Sequence, residues 1–307
     1  MMQETGAGFQ RPVCSSASSL QSWLAGWMEK LDSLLAYRLI VGMVTLALAA
    51  CTGSILRQEL RPGEGGAQLV VGQKRGERSS VVIEKGSMPG SRGCRIDYLL
   101  YSPASRVYED VIAVVGHGFL RSYEQMDGLA RRLADAGVRT ASVRFCNSRI
   151  WDGRHRDNGL DMIALAEALQ AKQVAYVGFS AGGLAALVAG RHDDRTIGVV
   201  ALDLVDRDGV GLTAAADLDR PLVGLVGPPS PCNAENNGLA ALAANRQSRI
   251  HRFPDATHCD FESPTDWLCK QICGERPGSD ARRQAILSTA TDAVIALTES
   301  KSLAASP

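Results

Sequence analysis

Aromatic side chains are scarce in this chain of 307 residues, at 5%, and no stripe of lysine and arginine with rings set between them occurs. Lys+Arg and Asp+Glu balance at 33 each, so the formal net charge is zero. A nucleic-acid partner calls for the opposite, a basic face that displaces counterions and rings that stack on bases. No nucleic-acid partner is expected. Metal-ligand spacing of the zinc-finger or His-Glu-x-x-His kind is missing too. Histidine is rare, five in all, so each can be judged singly. The main apolar run, Leu39 to Ala50, falls short of the ~20 residues that a membrane-spanning helix needs. What is present suffices for a core: 45% hydrophobic and 21% charged residues, in a length at which α/β folds routinely form one domain.

Cysteine is plentiful. Cys14, Cys51, Cys94, Cys146, Cys232, Cys259, Cys269 and Cys273 are more thiols than a reducing compartment usually tolerates. Cys269 and Cys273 are four apart, but neither a second closely spaced pair nor a histidine cluster accompanies them. A disulfide framework is therefore preferred to a zinc site. Leu39–Ala50, with Arg38 before it, has the length of a secretory-signal core. It closes on Leu48-Ala49-Ala50-Cys51, which resembles the lipobox of bacterial lipoprotein signals. That resemblance implies cleavage before Cys51, lipid on its thiol and membrane contact through that anchor. The expected location is the bacterial cell envelope, on the periplasmic face of the outer membrane (Thr52 rather than Asp follows the cysteine) or exported. An uncleaved anchor or a chance cysteine is the alternative. Residues 1–27 fit neither a signal nor a fold, and Met28 makes a more ordinary start.

Residues 1–50 are thus read as an extension and lipoprotein-type signal. Residues 51–78, rich in Gly, Arg and Gln, read as a flexible tether. Residues 79–300 make one catalytic domain, and 301–307 a tail. Within the domain strands are expected at Val81–Glu84, Ile96–Tyr101, Val111–Val115, Val138–Arg144, Val174–Phe179, Ile197–Asp203, Leu222–Val226 and Arg249–Phe253. Helices are expected at Tyr123–Ala136, Asp161–Ala171, Ala181–Gly190, Gly238–Arg246 and Asp280–Ser300. Such alternation, with continuous β-branched runs, specifies an α/β protein with a doubly wound, mostly parallel eight-stranded sheet and an antiparallel start.

One motif carries chemistry. Gly178-Phe179-Ser180-Ala181-Gly182 follows a buried strand and opens an Ala/Leu-rich helix, the context that makes Gly-x-Ser-x-Gly a nucleophile elbow rather than a Gly-rich turn. A serine hydroxyl needs a base. His192 ends a helix, His251 lies in a strand pattern, His155 in an Arg-rich loop and His117 in the loop after the third strand. His258 remains, in the loop after the last strand, and is the candidate base. An acid must orient it. No carboxylate follows the seventh strand until Glu235, whereas Asp203 ends the sixth, with Asp206 three residues on; Asp203 is preferred, then Asp206. An oxyanion hole needs two backbone donors, here the N–H groups of Ala181 and Phe119, with His117 bracing the Gly116–Phe119 loop. In the loop at 146–159, Trp151 is either a substrate platform or packing.

These residues resemble a known group. His117-Gly118-Phe119, Gly178–Gly183, Ala201-Leu202-Asp203 and Ala256–Phe261 look like the α/β-hydrolase branch that contains plasma-type platelet-activating-factor acetylhydrolases, chlorophyllases and bacterial polyester hydrolases, over roughly residues 111–261. The resemblance implies the α/β-hydrolase fold, a Ser180–Asp203–His258 triad, no cofactor or metal, and ester substrates that are small or lipid-like. Phe179 stands where these families more often have His, and is expected to shape the acyl side. A peptidase, thioesterase or acyltransferase on this fold is the first alternative, and a non-catalytic envelope lipoprotein the second. Cys259 beside His258 is expected to pair with Cys232 or with Cys269 or Cys273.

Overall fold

Val111–Gly116, Thr196–Leu202 and Leu222–Val226 are buried along their whole length, and Gln173–Phe179 at all but its first residue. Their apolar residues run consecutively rather than at alternate positions, which is stable only where both faces of a sheet are covered. In the computed structural model, which describes residues 81–305 except Arg92, Arg106 and residues 147–153, and only the backbone of 301–305, these segments form the middle of an eight-stranded sheet. In chain order the strands are β1 (Val82–Pro89), β2 (Arg95–Ser102), β3 (Val111–Gly116), β4 (Arg139–Arg144), β5 (Gln173–Phe179), β6 (Thr196–Leu202), β7 (Leu222–Val226) and β8 (Ser248–Arg252). Their spatial order is 1-2-4-3-5-6-7-8. β1 pairs antiparallel with β2, and β2 with β4; the other pairs are parallel.

The helices are α1 (Asp127–Asp135), α2 (His155–Ala168), α3 (Ala181–His192), α4 (Val210–Ala216), α5 (Leu239–Ala244), α6 (Trp267–Cys273) and α7 (Ser279–Ala305). Side-chain alternation divides the strands between two cores. Ile112, Val114, Val174 and Tyr176 meet α2, α3, α4 and α5, while Val111, Val115, Ala175, Val177 and Phe179 meet α1 and α7. Each face is therefore apolar and covered. Among the described residues no helix is long and apolar enough to cross a membrane.

The expected strands all form, within a few residues of their expected ends, except that β1 runs on to Pro89. One helix is displaced. Instead of Asp161–Ala171, α2 starts at His155, and the chain leaves it through Gln170 at φ 55°. Its first turns hold Asp157, Asn158 and Gly159, residues that favour turns in isolation, so the sequence there reads as loop and His155 as a loop residue. Packing decides otherwise, since Asn158, Gly159 and Asp161 are buried. α4 has no counterpart among the expected helices; its seven residues are held by Asp206, whose carboxylate accepts the N–H groups of Gly211 and Leu212 at 2.6 and 3.0 Å. The lipobox cysteine Cys51, the segments 1–50 and 51–78 and Trp151 lie outside the described residues, as do Ser306 and Pro307 of the tail.

Gly159 shows which effect wins at the crossing of α2 and α3. Alanine would favour the helix by about 1 kcal/mol, yet a Cβ there would lie 2.6 Å from Val188 Cγ1 and 3.0 Å from the Ala185 carbonyl oxygen. The backbone contact cannot yield without separating the helices. Gly159→Ala is expected to destabilise the fold by about 1–3 kcal/mol, read as a lowered midpoint in thermal or urea unfolding; an unchanged or raised midpoint would contradict this packing.

Candidate active site

The joint between β5 and α3 holds Ser180 at φ 54°, ψ −119°, a backbone region that side-chain-bearing residues rarely enter. Two close approaches force it. A Cβ on Gly178 would strike the Gly182 carbonyl, and one on Gly182 would strike the carbonyl oxygens of Gly116 and His117. Glycine at 178 and 182 therefore lets the first turn of α3 lie against β5 and against the loop after β3. The Ser180 N–H donates to the Leu202 carbonyl at 2.8 Å, and its own carbonyl accepts the Gly183 N–H at 3.0 Å. The hydroxyl is thereby lifted above the C-terminal edge of the sheet.

There it meets the other expected residues. His258 Nε2 lies 3.0 Å from Ser180 Oγ, and His258 Nδ1 lies 2.6 Å from Asp203 Oδ2. All three side chains are buried. Asp203 follows the last residue of β6 at φ 43°. Its other oxygen, Oδ1, accepts the Gly227 N–H at 2.9 Å, and the Asn233 amide lies 3.2 Å from Oδ2. A buried carboxylate needs such partners, because unpaired it costs several kcal/mol. The rival acids are otherwise engaged or distant: Asp206 caps α4, and Glu235 is exposed on the loop after β7.

Ala181 is the first residue of α3, where backbone N–H groups have no intrahelical acceptor. Phe119 lies in the turn that follows the Gly116–Gly118 loop, half-exposed, and that loop abuts Gly182. Both expected oxyanion residues thus belong to segments in mutual contact. His117 braces the loop. The Phe145 N–H donates to His117 Nε2 at 3.2 Å, which leaves the proton on Nδ1 for the Gly118 carbonyl at 2.8 Å. Burial lowers the His117 imidazole from 6.5 to about 4. Phe179 differs from expectation. It is buried under Gly118, with its ring 4.7 Å from that of His258, so it supports the imidazole rather than lining an acyl pocket. The apolar neighbours on β3, β5 and β6 draw it inward.

Strand order, antiparallel start and the serine turn after β5 together specify a fold, and solved structures carry the same one. The chain is similar to a dienelactone hydrolase from Anabaena variabilis, at 22% identity and TM-score 0.51, over 69% of this chain and 96% of that one. It is similar also to a CIB-like hydrolase from Thermoplasma acidophilum, at 11% identity and TM-score 0.52, over 69% and 99%. No protein-family model and no curated protein matches the chain. The chain has the α/β-hydrolase fold.

Around this candidate site on the α/β-hydrolase fold lie ties that sequence reasoning missed. Arg121, just past the Phe119 turn, makes a two-pronged ion pair with buried Glu262, Nε to Oε2 at 2.8 Å and a terminal nitrogen to Oε1 at 2.6 Å, and also reaches Asp266 at 3.0 Å. Burial pushes the Glu262 carboxyl up, against the pull of the guanidinium. Backbone bonds of 2.7 Å, Gly128 to Ser263 and Ser263 to Gln125, run alongside. Asp260 caps its own turn through the Thr257 N–H at 2.9 Å and accepts from Arg282 of α7 at 3.1 Å. The Arg121–Glu262 pair spans 141 residues, and nothing local in the sequence couples such partners. The stretch around Phe261, His-Cys-Asp-Phe-Glu-Ser, is mixed and polar, so the burial of its carboxylates leaves no pattern to read.

The disulfides are Cys94–Cys146, Cys232–Cys273 and Cys259–Cys269, with Cα separations of 6.1, 5.6 and 5.9 Å, inside the usual range. Cys259 pairs with one of its three expected candidates. The sulfurs of Cys259, Cys269 and Cys273 lie within 4.8 Å of one another; paired as they are, they offer no thiolate to a metal.

His117 yields a pH prediction. In the unfolded chain its imidazole takes a proton near 6.5, in the folded protein near 4. Between those values the unfolded state binds more protons, so the folded state loses stability as pH falls from 6.5 towards 4 and is unaffected by this group above 6.5. His117→Asn, which keeps a donor and an acceptor, should flatten that part of the midpoint-versus-pH curve relative to the parent. Parallel curves would show that His117 is not the buried neutral group described.

Proposed function

We propose that the protein is a serine hydrolase that cleaves carboxylic esters through an acyl-enzyme. The observation that carries this reading is the continuous hydrogen-bonded chain Ser180–His258–Asp203 at a strained strand–helix turn. His258 Nε2 takes the Ser180 proton as Oγ attacks the ester carbonyl carbon. Asp203 holds the imidazole with its proton on Nδ1 and stabilises the imidazolium that forms. The carbonyl oxygen, now negative, meets the N–H groups of Ala181 and Phe119, and the orphan donors of the α3 N-terminus favour that charge. The imidazolium returns its proton to the departing alkoxide, leaving Ser180 acylated. Water, activated by the same imidazole, then releases the acid and restores the serine. Ester bonds suit this sequence because the likeness to the esterase branch rests on the segments that hold all five of these residues.

Ser180→Ala is expected to abolish hydrolysis of p-nitrophenyl esters and labelling by a fluorophosphonate, with an unchanged unfolding midpoint. Persistent labelling would mean that another residue is the nucleophile, and peptide hydrolysis exceeding ester hydrolysis would replace esters as the substrate class. Asp203→Asn should lower kcat on the order of 10⁴-fold, the magnitude known for the serine-protease triad, while Glu235→Gln changes it little. The opposite ranking would assign the acid to the loop after β7.

The export reading belongs to the same proposal: lipid on Cys51 would hold the enzyme at the cell envelope, near lipid-like esters. A palmitate analogue should label the parent protein in bacterial cells and not Cys51→Ala. Label that survives the substitution, or none on the parent, removes the anchor from the proposal.

A further inference from the structure

Asn233, on the loop after β7, is fully buried although it stands in a polar turn, Ser230-Pro231-Cys232-Asn233. Its side chain uses its whole hydrogen-bonding capacity. Oδ1 accepts the Ser230 N–H at 2.8 Å and the Asn236 N–H at 3.1 Å. Nδ2 faces oxygens alone: Pro228 carbonyl at 2.8 Å, Asp203 Oδ2 at 3.2 Å and Oδ1 at 3.4 Å. The amide can point only one way, since the flipped form would set oxygen against three oxygens and nitrogen against two N–H groups.

We propose that Asn233 is the positioning residue of the acid, its amide holding the Asp203 carboxylate in the plane that His258 requires. This rests on the Ser180–His258–Asp203 reading. The terminal torsion of an aspartate is soft, so a single donor does not fix its plane. Gly227 N–H grips Oδ1. The Asn233 amide adds a donor next to Oδ2, the oxygen that meets His258 Nδ1. With both donors the carboxylate cannot swing away as charge develops on the imidazole. An aspartate at 233 would keep the shape and present an acceptor instead of a donor to both Asp203 and the Pro228 carbonyl. Asn233 is itself fixed from the next residue, because Cys232 is bonded to Cys273 of α6.

A purely architectural role makes a different prediction. The turn carries Ala234, Glu235 and Asn236 at φ 49°, 55° and 61°, and Asn233 Oδ1 helps to cap it. Asn236 is also buried in this turn, donates to the Gly227 carbonyl at 3.0 Å, and has no bond to Asp203. The test compares Asn233→Ala, Asn233→Asp, Asn236→Ala and Asp203→Asn in the full chain with disulfides intact, by kcat and KM for p-nitrophenyl acetate and by unfolding midpoint. If Asn233 positions the acid, Asn233→Ala loses about 10- to 100-fold in kcat, the scale of one hydrogen bond to a charged group felt in the transition state. KM stays within about twofold, as for an interaction made only there. Asn233→Asp loses at least as much, and Asn236→Ala keeps kcat within about threefold even where its midpoint drops as far. Equal kcat losses in Asn233→Ala and Asn236→Ala at equal midpoints would overturn the proposal in favour of turn architecture, as would a fully active Asn233→Asp. An inactive Asp203→Asn beside a fully active Asn233→Ala sinks the positioning role alone. An active Asp203→Asn sinks the triad reading and this proposal with it.

Discussion

A serine held at φ 54° exists here because three stretches of backbone touch. β5, the first turn of α3 and the loop after β3 approach so closely that Gly178 and Gly182 have no room for a Cβ. The proposed chemistry depends on that contact. It aims the Ser180 hydroxyl out of the sheet, sets the Ala181 N–H at the free end of a helix, and holds the Gly116–Phe119 loop beside it. The strain is of the order of 1–3 kcal/mol, small against a core in which β3, β5 and β6 are buried on both faces. A well-covered parallel sheet can hold such a turn where an isolated hairpin could not.

The other two members of the constellation come from loops, and loops need their own ties. Asp203 has Gly227 and Asn233. The His258 turn has Asp260 as cap, Arg282 from α7, and the ion pair of neighbouring Glu262 with Arg121. The ion pair links the loop that bears Phe119 to the loop that bears His258. Buried pairs of this kind add little net stability over an apolar substitute, yet breaking one side leaves an unmatched charge. Their effect is to fix a geometry rather than to strengthen the fold.

The sheet was legible because period and composition report burial directly. Short runs of Val, Ile and Leu between Gly- and Asp-rich turns read as strands covered on both faces, as β3, β5, β6 and β7 are, and every expected strand formed. Ser180, His258 and Asp203 were legible for a narrower reason. With five histidines, one elbow and one carboxylate at the end of an apolar strand, few combinations remained, and the structure brings that one together. The failures share a cause as well. α2 begins in His-Arg-Asp-Asn-Gly, whose local preference is for a turn and whose burial comes from α3 and a distant loop: Ser91 donates to Asp161 across 70 residues. Phe179 was assigned to the substrate side by its position in the motif, whereas contacts from Gly118 and His258 make it a support. Asn233, Arg121 and Glu262 act through partners far away in sequence, where pattern and propensity carry no information.

The disulfides complete a division of labour between sheet and loops. The segments of Ser180 and of Gly116–Phe119 are fixed by backbone packing against β3 and β5. Two of the three disulfides staple the loops that support Asp203 and His258, and to the same short helix, while Cys94–Cys146 ties the start of β2 to the end of β4. Cys269 and Cys273 lie four residues apart on α6, hence on one face of it. One reaches Cys259 beside His258, the other Cys232 beside Asn233. By chain-entropy reasoning, closing spans of 10 and 41 residues restricts the unfolded chain by about 3 and about 4 kcal/mol. The geometric consequence is larger than that energy suggests. A seven-residue helix with Trp267 and Ile272 turned to solvent has little core of its own, so the two bonds and the Arg121–Asp266 pair supply most of its attachment. In return α6 joins the turn of Asn233, which supports Asp203, to the turn of His258, so that the two sides of the imidazole hydrogen bond share one covalent anchor.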